Sequence, residues 1–148
     1  HNRFIHSLGA IHLMMKALSQ LHRTGQLTPD ATYQGLSVEL LALVAIAVHD
    51  IGHPPLSHTL ESAIDLAKLN ALHDQLWNQR ILREDPELQA ILAPLHPQFA
   101  DILLAFIGDD PATLRHPLAS LVSSQLDLDR LDYLQRDSHF LGVQYGRI

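Results

Sequence analysis

The sequence predicts an all-α, multi-helix domain built around a metal site. Three observations carry this. Apolar residues recur at three- and four-residue steps along most of the chain, which is the period of a helix. Glycine and proline gather between these stretches, and no convincing β-hairpin pattern, internal repeat or low-complexity tract occurs. The segment His49-Asp50-Ile51-Gly52-His53-Pro54-Pro55-Leu56-Ser57-His58 packs three His and an Asp directly behind the apolar run Leu40 to Val48. A buried helix thus delivers ligand-type side chains to its own end, and Gly52 and the proline pair turn the chain there.

The elements follow in order. His1 to His22 reads as a helix with Phe4, Leu8, Ile11, Met15 and Leu18 as its apolar stripe, leaving His6 off that stripe and His12 on roughly the opposite face. Thr24-Gly25 ends it, and Gly25 to Gly35, with Pro29, is loop. Ser37 is an N-cap and Glu39 lies in the first turn, where the helix dipole favours a carboxylate. The second helix then runs to about His49. A third, from Leu60 to Leu69, is capped by Ser57 or Thr59, and a fourth spans Leu72 to Arg83. Pro86 suits the first turn of another helix, and Pro94 and Pro97 break the chain again. Phe99 to Ile107 is helical and stops at Gly108. Asp110-Pro111 begins a short helix and Pro117 to Ser124 continues the pattern. The last helix is Asp127 to Ser138, and Phe140 to Ile148 is a loop tail.

At 148 residues the natural reading is one domain, and 47% hydrophobic residues suffice for a core. No apolar run approaches the roughly 18 residues of a membrane span, and no signal-peptide pattern is present, so no membrane partner is expected. Cysteine is absent, which excludes disulfides and thiolate ligands and fits a reducing cytoplasm. The net charge of −6 argues against binding dominated by a nucleic-acid backbone. A phosphate-ester substrate therefore calls for a metal and a few local arginines. The chain opens without Met and already in helical pattern, which reads as the core piece of a longer protein.

The 11 His residues are the unusual count, since imidazole is a common metal ligand and acid/base group. Neighbours in a helix do not share a face, but at a helix end His49 and Asp50 can both turn to one ion. A hard oxygen beside a borderline nitrogen suits Mn, Fe, Zn, Ni or Mg better than Ca. Alone, the pair would read as a cap and a core His; His53 and His58 so close behind reverse that. His6 gains weight from Arg3 before it and Ser7-Leu8-Gly9 after it. Gly9 in mid-helix costs about 1 kcal/mol relative to Ala, which a close helix approach or an open space beside His6 would explain. Asp129, Asp132, Tyr133 and Arg136 share one polar face at i, i+3, i+4 and i+7. With Leu126, Leu128, Leu131 and Leu134 facing the core, that face is either solvated or free to meet a site.

In order, these blocks resemble the HD-domain phosphohydrolases: Arg3 to Gly9, His49-Asp50-Ile51-Gly52-His53, Ser57-His58, and Asp129-Arg130-Leu131-Asp132-Tyr133 with Arg136-Asp137. The branch most similar is that of the deoxynucleoside triphosphate triphosphohydrolases. The resemblance spans nearly the whole chain and implies a helical HD-domain bundle. It implies a divalent metal held by His6, His49, Asp50 and Asp129, with Asp129 preferred to Asp127 as distal ligand. It implies a reaction centre lined by His53, His58, Glu61 and His73, and phosphate and sugar contacts from Arg3, Arg130, Tyr133 and Asp137. It further implies a nucleotide substrate and a homo-oligomer. Ile5 and Pro54 depart from the family's usual polar residue and glycine, and the family's upstream nucleotide-gripping and downstream regulatory parts lie outside this sequence.

The reading that results is a metal-dependent hydrolase converting a deoxynucleoside triphosphate to deoxynucleoside and triphosphate. His53 and Glu61 form an acid/base pair across the Pro-Pro turn, His58 is the other candidate proton donor, and Arg3 and Arg130 neutralise phosphate. Two alternatives stand beside it. One is another HD enzyme acting on a nucleoside monophosphate, a cyclic dinucleotide or an alarmone. The other is a nucleotide-sensing HD module without turnover, against which the presence of all four ligand positions argues.

Overall fold

A computed structural model describes residues 2–53, 74–108 and 115–144. Within them the chain is all-α, as the periodicity predicts, with six α-helices, one 3-10 helix and a two-stranded hairpin. The expected third helix, Leu60–Leu69, and the expected short helix at Asp110-Pro111 lie outside the described residues.

Helix α1 spans Arg3–Arg23, with Asn2 as N-cap accepting from the Ile5 N–H. Its buried face is His6, Ala10, Met14 and Leu18, at regular four-residue steps. This corrects the predicted stripe: Phe4, Leu8 and Met15 are 70%, 51% and 57% exposed, and His6 lies on the buried face rather than off it. The cause is helix approach. Gly9 and Ala10 let α1 come close to its neighbours, and that packing overrides the greasier stripe beside it.

The predicted loop contains an antiparallel hairpin, β1 Thr32–Tyr33 with β2 Leu36–Ser37, paired Thr32 to Ser37 and Tyr33 to Leu36. Gln34 and Gly35 both take positive φ, 49° and 83°, as a two-residue primed turn needs. Gln-Gly is a weaker cue than Asn-Gly, and two-residue strands show no alternation to read.

Helix α2, Val38–Val48, follows with no break, and Ser37 Oγ accepts from the Leu40 N–H as its cap. His49 is its C-cap. Glu39 gains a partner beyond the helix dipole: its Oε1 lies 2.6 Å from His22 Nε2, tying the end of α1 to the start of α2. Helix α3, Asp74–Glu84, is followed by α4, Pro86–Leu92, with Asp85 as N-cap and Pro86 in the first turn. Helix α5, Phe99–Ile107, is buried at Phe99, Ala100 and Ile102 to Phe106 and ends at Gly108 in the left-handed conformation. A helix apolar on nearly every side belongs inside. A 3-10 helix, Pro117–Leu121, leads to α6, Leu128–Leu141. Helix α6 runs further than predicted and takes in Phe140 and Leu141. Gly142 closes it with a positive φ of 67°.

Helix α2 packs on α1 and α5, while α6 packs on α1 and α3 on α5. Met14, Leu41, Ile46, Leu103 and Phe106 form the dry centre, each burial stabilising by roughly 1.5–3 kcal/mol. Leu126 and Leu134 do not face that core: both are exposed, and in α6 it is Leu128 and Asp132 that are buried. The core thus fixes α1, α2 and α6 side by side. No helix among the described residues is long and apolar enough to cross a membrane.

Candidate metal centre

Three elements meet at one point. Helix α1 supplies His6 from its first turns, the end of α2 supplies His49 and Asp50, and the first turn of α6 supplies Asp129. His6 Nε2 lies 3.3 Å from His49 Nε2, 2.9 Å from Asp129 Oδ1 and 3.8 Å from Asp50 Oδ2. His49 Nε2 lies 3.5 Å from Asp50 Oδ1 and 3.6 Å from Asp129 Oδ1. His53 Nε2 approaches the same Asp50 oxygen at 3.4 Å.

The outer nitrogens of both rings are committed. His49 Nδ1 donates to Ile46 O at 2.7 Å, and His6 Nδ1 donates to Asp132 Oδ2 at 2.7 Å. With protons on Nδ1, both Nε2 lone pairs point into one space with two carboxylates around it. Two bare lone pairs at 3.3 Å repel unless a proton or cation lies between them. Two nitrogens each about 2.1 Å from one ion, at tetrahedral to octahedral angles, stand roughly 3.0–3.4 Å apart. Among the described residues His6, His49 and Asp50 bring ligand atoms within 4.8 Å of one another, and Asp129 Oδ1 lies beside both rings without joining that group. Two imidazoles and a carboxylate without sulfur fit a divalent transition ion.

Proton affinities reflect the same convergence. Burial alone would push the His49 imidazole down. The Asp129 carboxylate, the charge of Asp50 and the Ile46 carbonyl more than offset this and raise it above its ordinary value. Pairing with His49, opposed in part by burial and aided by the nearby His6, holds Asp129 below the usual carboxylate range.

Asp127 has a different task. Its Oδ1 accepts from the Arg130 N–H at 2.9 Å and its Oδ2 from the Ser124 N–H at 2.8 Å, so it is the buried N-cap of α6. The adjacent cavity, about 520 Å³, is lined by His49, Asp50, His53, Asp129, Arg130 and Tyr133 from the predicted set. Asn78, Arg115 and Ser124 join them on its wall. Arg3 is not on that wall. Its Nη1 donates to His53 O at 2.7 Å and approaches Asp50 O at 3.4 Å, bracing the turn. Asp137 is exposed on α6 and does not line the cavity either. His58, Glu61 and His73 lie outside the described residues.

Sequence reasoning passed over Asn78 and Arg115, and gave Asp132 and Arg136 no role. Asn78 Oδ1 accepts from the Gly52 N–H at 2.6 Å, holding the turn that carries the ligands. Arg115 donates to Ala119 O and Ser123 O and packs over Gly108. Asp132 was visible as part of a polar face. The signal for its burial was Gly9, where a Cβ would overlap Asp132 Oδ1 and Arg136 Nη2.

No family model matches the chain. The chain is 32% identical over 146 residues to the uncharacterised protein YwfO of Bacillus subtilis, covering 99% of this chain and 30% of that protein. It is 28% identical over 169 residues to human deoxynucleoside triphosphate triphosphohydrolase SAMHD1, covering 97% of this chain and 26% of that protein. Among solved structures, a phosphohydrolase of Bacteroides thetaiotaomicron superposes with a TM-score of 0.67 at 33% identity, covering 96% of this chain and 30% of that one. The chain spans about a third or less of the curated relatives it matches, between 25% and 34% of their length. The likeness covers all three helices that carry the His and Asp donors, and with that arrangement the chain belongs to the HD-domain phosphohydrolase superfamily.

Proposed function

We propose that this chain is the catalytic core of a metal-dependent nucleotide phosphohydrolase that converts deoxynucleoside triphosphates to deoxynucleoside and triphosphate. The observation that carries the proposal is the pair of facing Nε2 atoms of His6 and His49, locked by Asp132 and Ile46 and opening on a cavity with Arg130 and Tyr133 on its wall. The likeness to SAMHD1 supports the nucleotide substrate.

His6, His49, Asp50 and Asp129 would hold the ion, which supplies Lewis acidity toward phosphate and acidifies bound water when present. Arg130 reaches the cavity with a half-exposed guanidinium, loosely paired to Asp127 at 3.7 Å, and is free to meet a phosphate oxygen. Tyr133, about one turn on in α6, lines the same cavity, where it would flank the substrate. Water attacks the α-phosphorus, the bond to the 5′ oxygen of the deoxyribose breaks, and that oxygen takes up a proton. His53 is placed to move a proton beside Asp50, and its ring is oriented by that carboxylate. His58, Glu61 and His73 lie outside the described residues and take no step here; Arg3 acts by bracing the turn that carries His53, and Asp137 lies off the cavity.

The test is product analysis. Purified protein is incubated with Mn²⁺, Mg²⁺ or Zn²⁺ and a panel of deoxynucleoside and ribonucleoside triphosphates, nucleoside monophosphates, cyclic dinucleotides and alarmones. Intact triphosphate released from a deoxynucleoside triphosphate is the expected result. Turnover confined to monophosphates, cyclic dinucleotides or alarmones would contradict it.

A further inference from the structure

Asp132 takes no part in the reaction just described, yet it is buried in α6 and touches the site. Its Oδ2 accepts from His6 Nδ1 at 2.7 Å and from Arg136 Nε at 2.6 Å. Arg136 Nη2 also donates to Ile5 O at 2.8 Å, the carbonyl just before His6. Helices α1 and α6 are thus joined by one closed set: the His6 ring, the Asp132 carboxylate, the Arg136 guanidinium and the Ile5 carbonyl. Gly9 makes the set possible, because a methyl group there would overlap Asp132 Oδ1 and Arg136 Nη2.

An ionised carboxylate only accepts hydrogen bonds. Its bond therefore keeps the proton of a neutral His6 on Nδ1 and leaves Nε2 as a lone pair. We infer that Asp132, braced by Arg136, is a positioning residue that aims His6 Nε2 and strengthens it as a donor, and so sets the affinity of the site for a divalent ion. This rests on the metal reading above. Arg136, donating to Asp132 Oδ2 from one side, fixes which carboxylate oxygen faces the ring. Gly9 belongs to the same device, as the space the carboxylate occupies. A carboxylate behind a ligating histidine raises its basicity, and its loss weakens metal binding by about 10–100-fold.

The competing view is a buried ion pair that merely clamps two helices. Titration with Co²⁺, followed by its visible spectrum and by chelator competition, separates the two. Asp132→Ala is expected to bind Co²⁺ about 10–100-fold more weakly than wild type, with shifted bands. Asp132→Asn keeps an acceptor but not the charge, and falls between. Gly9→Ala ought to favour the helix, yet it is expected to weaken Co²⁺ binding because its methyl displaces the carboxylate. If Asp132→Ala does not fold, the other two variants decide. Wild-type Co²⁺ affinity and spectrum in folded Asp132→Asn and Gly9→Ala, while His6→Ala loses the ion, would overturn the inference alone. Wild-type affinity in His6→Ala would overturn the metal reading and this inference with it.

Discussion

Asn78 clamps the ligand-bearing turn from the side: its Oδ1 accepts from the Gly52 N–H at 2.6 Å, and its Nδ2 donates to His49 O at 3.3 Å. One amide thus satisfies both the carbonyl at the end of α2 and the buried N–H of the turn beyond it. Removing it leaves two backbone groups without those partners, at a cost of about 1–3 kcal/mol. Asn78→Ala is expected to lower the melting temperature by several degrees and to weaken metal binding, because His49 and Asp50 lose their fixed relation. Calorimetry alongside a metal titration checks both. A drop in stability with unchanged metal affinity would confine Asn78 to the fold.

How much of this was legible in the sequence differs from element to element. Both ends of α2 were readable, since Ser37 caps its start, an apolar run fills it, and Gly52 with the proline pair just beyond His53 stops it. So were α4 and α5, bounded by Pro86 and Gly108. The face of α1 was misread. Periodicity weighs residues by greasiness, and Phe4, Leu8 and Met15 outweigh Ala10. Burial was decided by how near α6 and α2 can come, and only Gly9 hinted at that. Asp132 was hidden for a related reason. A carboxylate on a charged face reads as solvated until the partner that buries it, His6, is known to lie opposite.

In metal-free protein the His49–Asp129 pair should leave a pH signature. His49 is raised above 6.5, so its contribution to stability is fully present below 6.5 and fades as pH climbs through the raised value. Asp129 is lowered from 3.8, so its contribution is present above 3.8 and fades as pH falls through the depressed value. Both act together between those two limits. Chelator-treated protein is expected to lose this increment of stability on the alkaline side, and added metal, which competes with protons for His49, to restore it there. Melting curves of wild type and His49→Gln across pH check this. An identical pH profile in the two would refute it.

Arg130→Ala is expected to leave metal content unchanged and lower kcat/KM by roughly 10–100-fold, the loss of one charge-assisted bond to phosphate at about 1.5–3 kcal/mol. The α6 cap survives, because Asp127 holds the backbone N–H of Arg130 and not its side chain alone. Unchanged kinetics would leave Arg130 as a surface partner of Asp127.

His53→Ala is expected to retain the metal and most substrate affinity while losing on the order of 10²–10⁴-fold in turnover. Its Nε2 lies 3.4 Å from Asp50 Oδ1, where it can move a proton beside a proposed ligand without being one, so turnover and metal content should separate. Surviving activity would make His53 a structural residue of the turn. Loss of metal with the side chain would make it a ligand.

His6, His49, Asp50 and Asp129 are proposed as the donors of one metal site. Its most direct measurement is the bound-metal stoichiometry of wild type and of the His49→Ala, Asp50→Ala double variant after equilibration with Mn²⁺, Fe²⁺, Ni²⁺ or Zn²⁺, with helical content followed in parallel. One divalent ion per chain is expected in wild type, and none in a double variant that remains helical. Full occupancy in the double variant, or no bound ion in wild type with any of these metals, would contradict it.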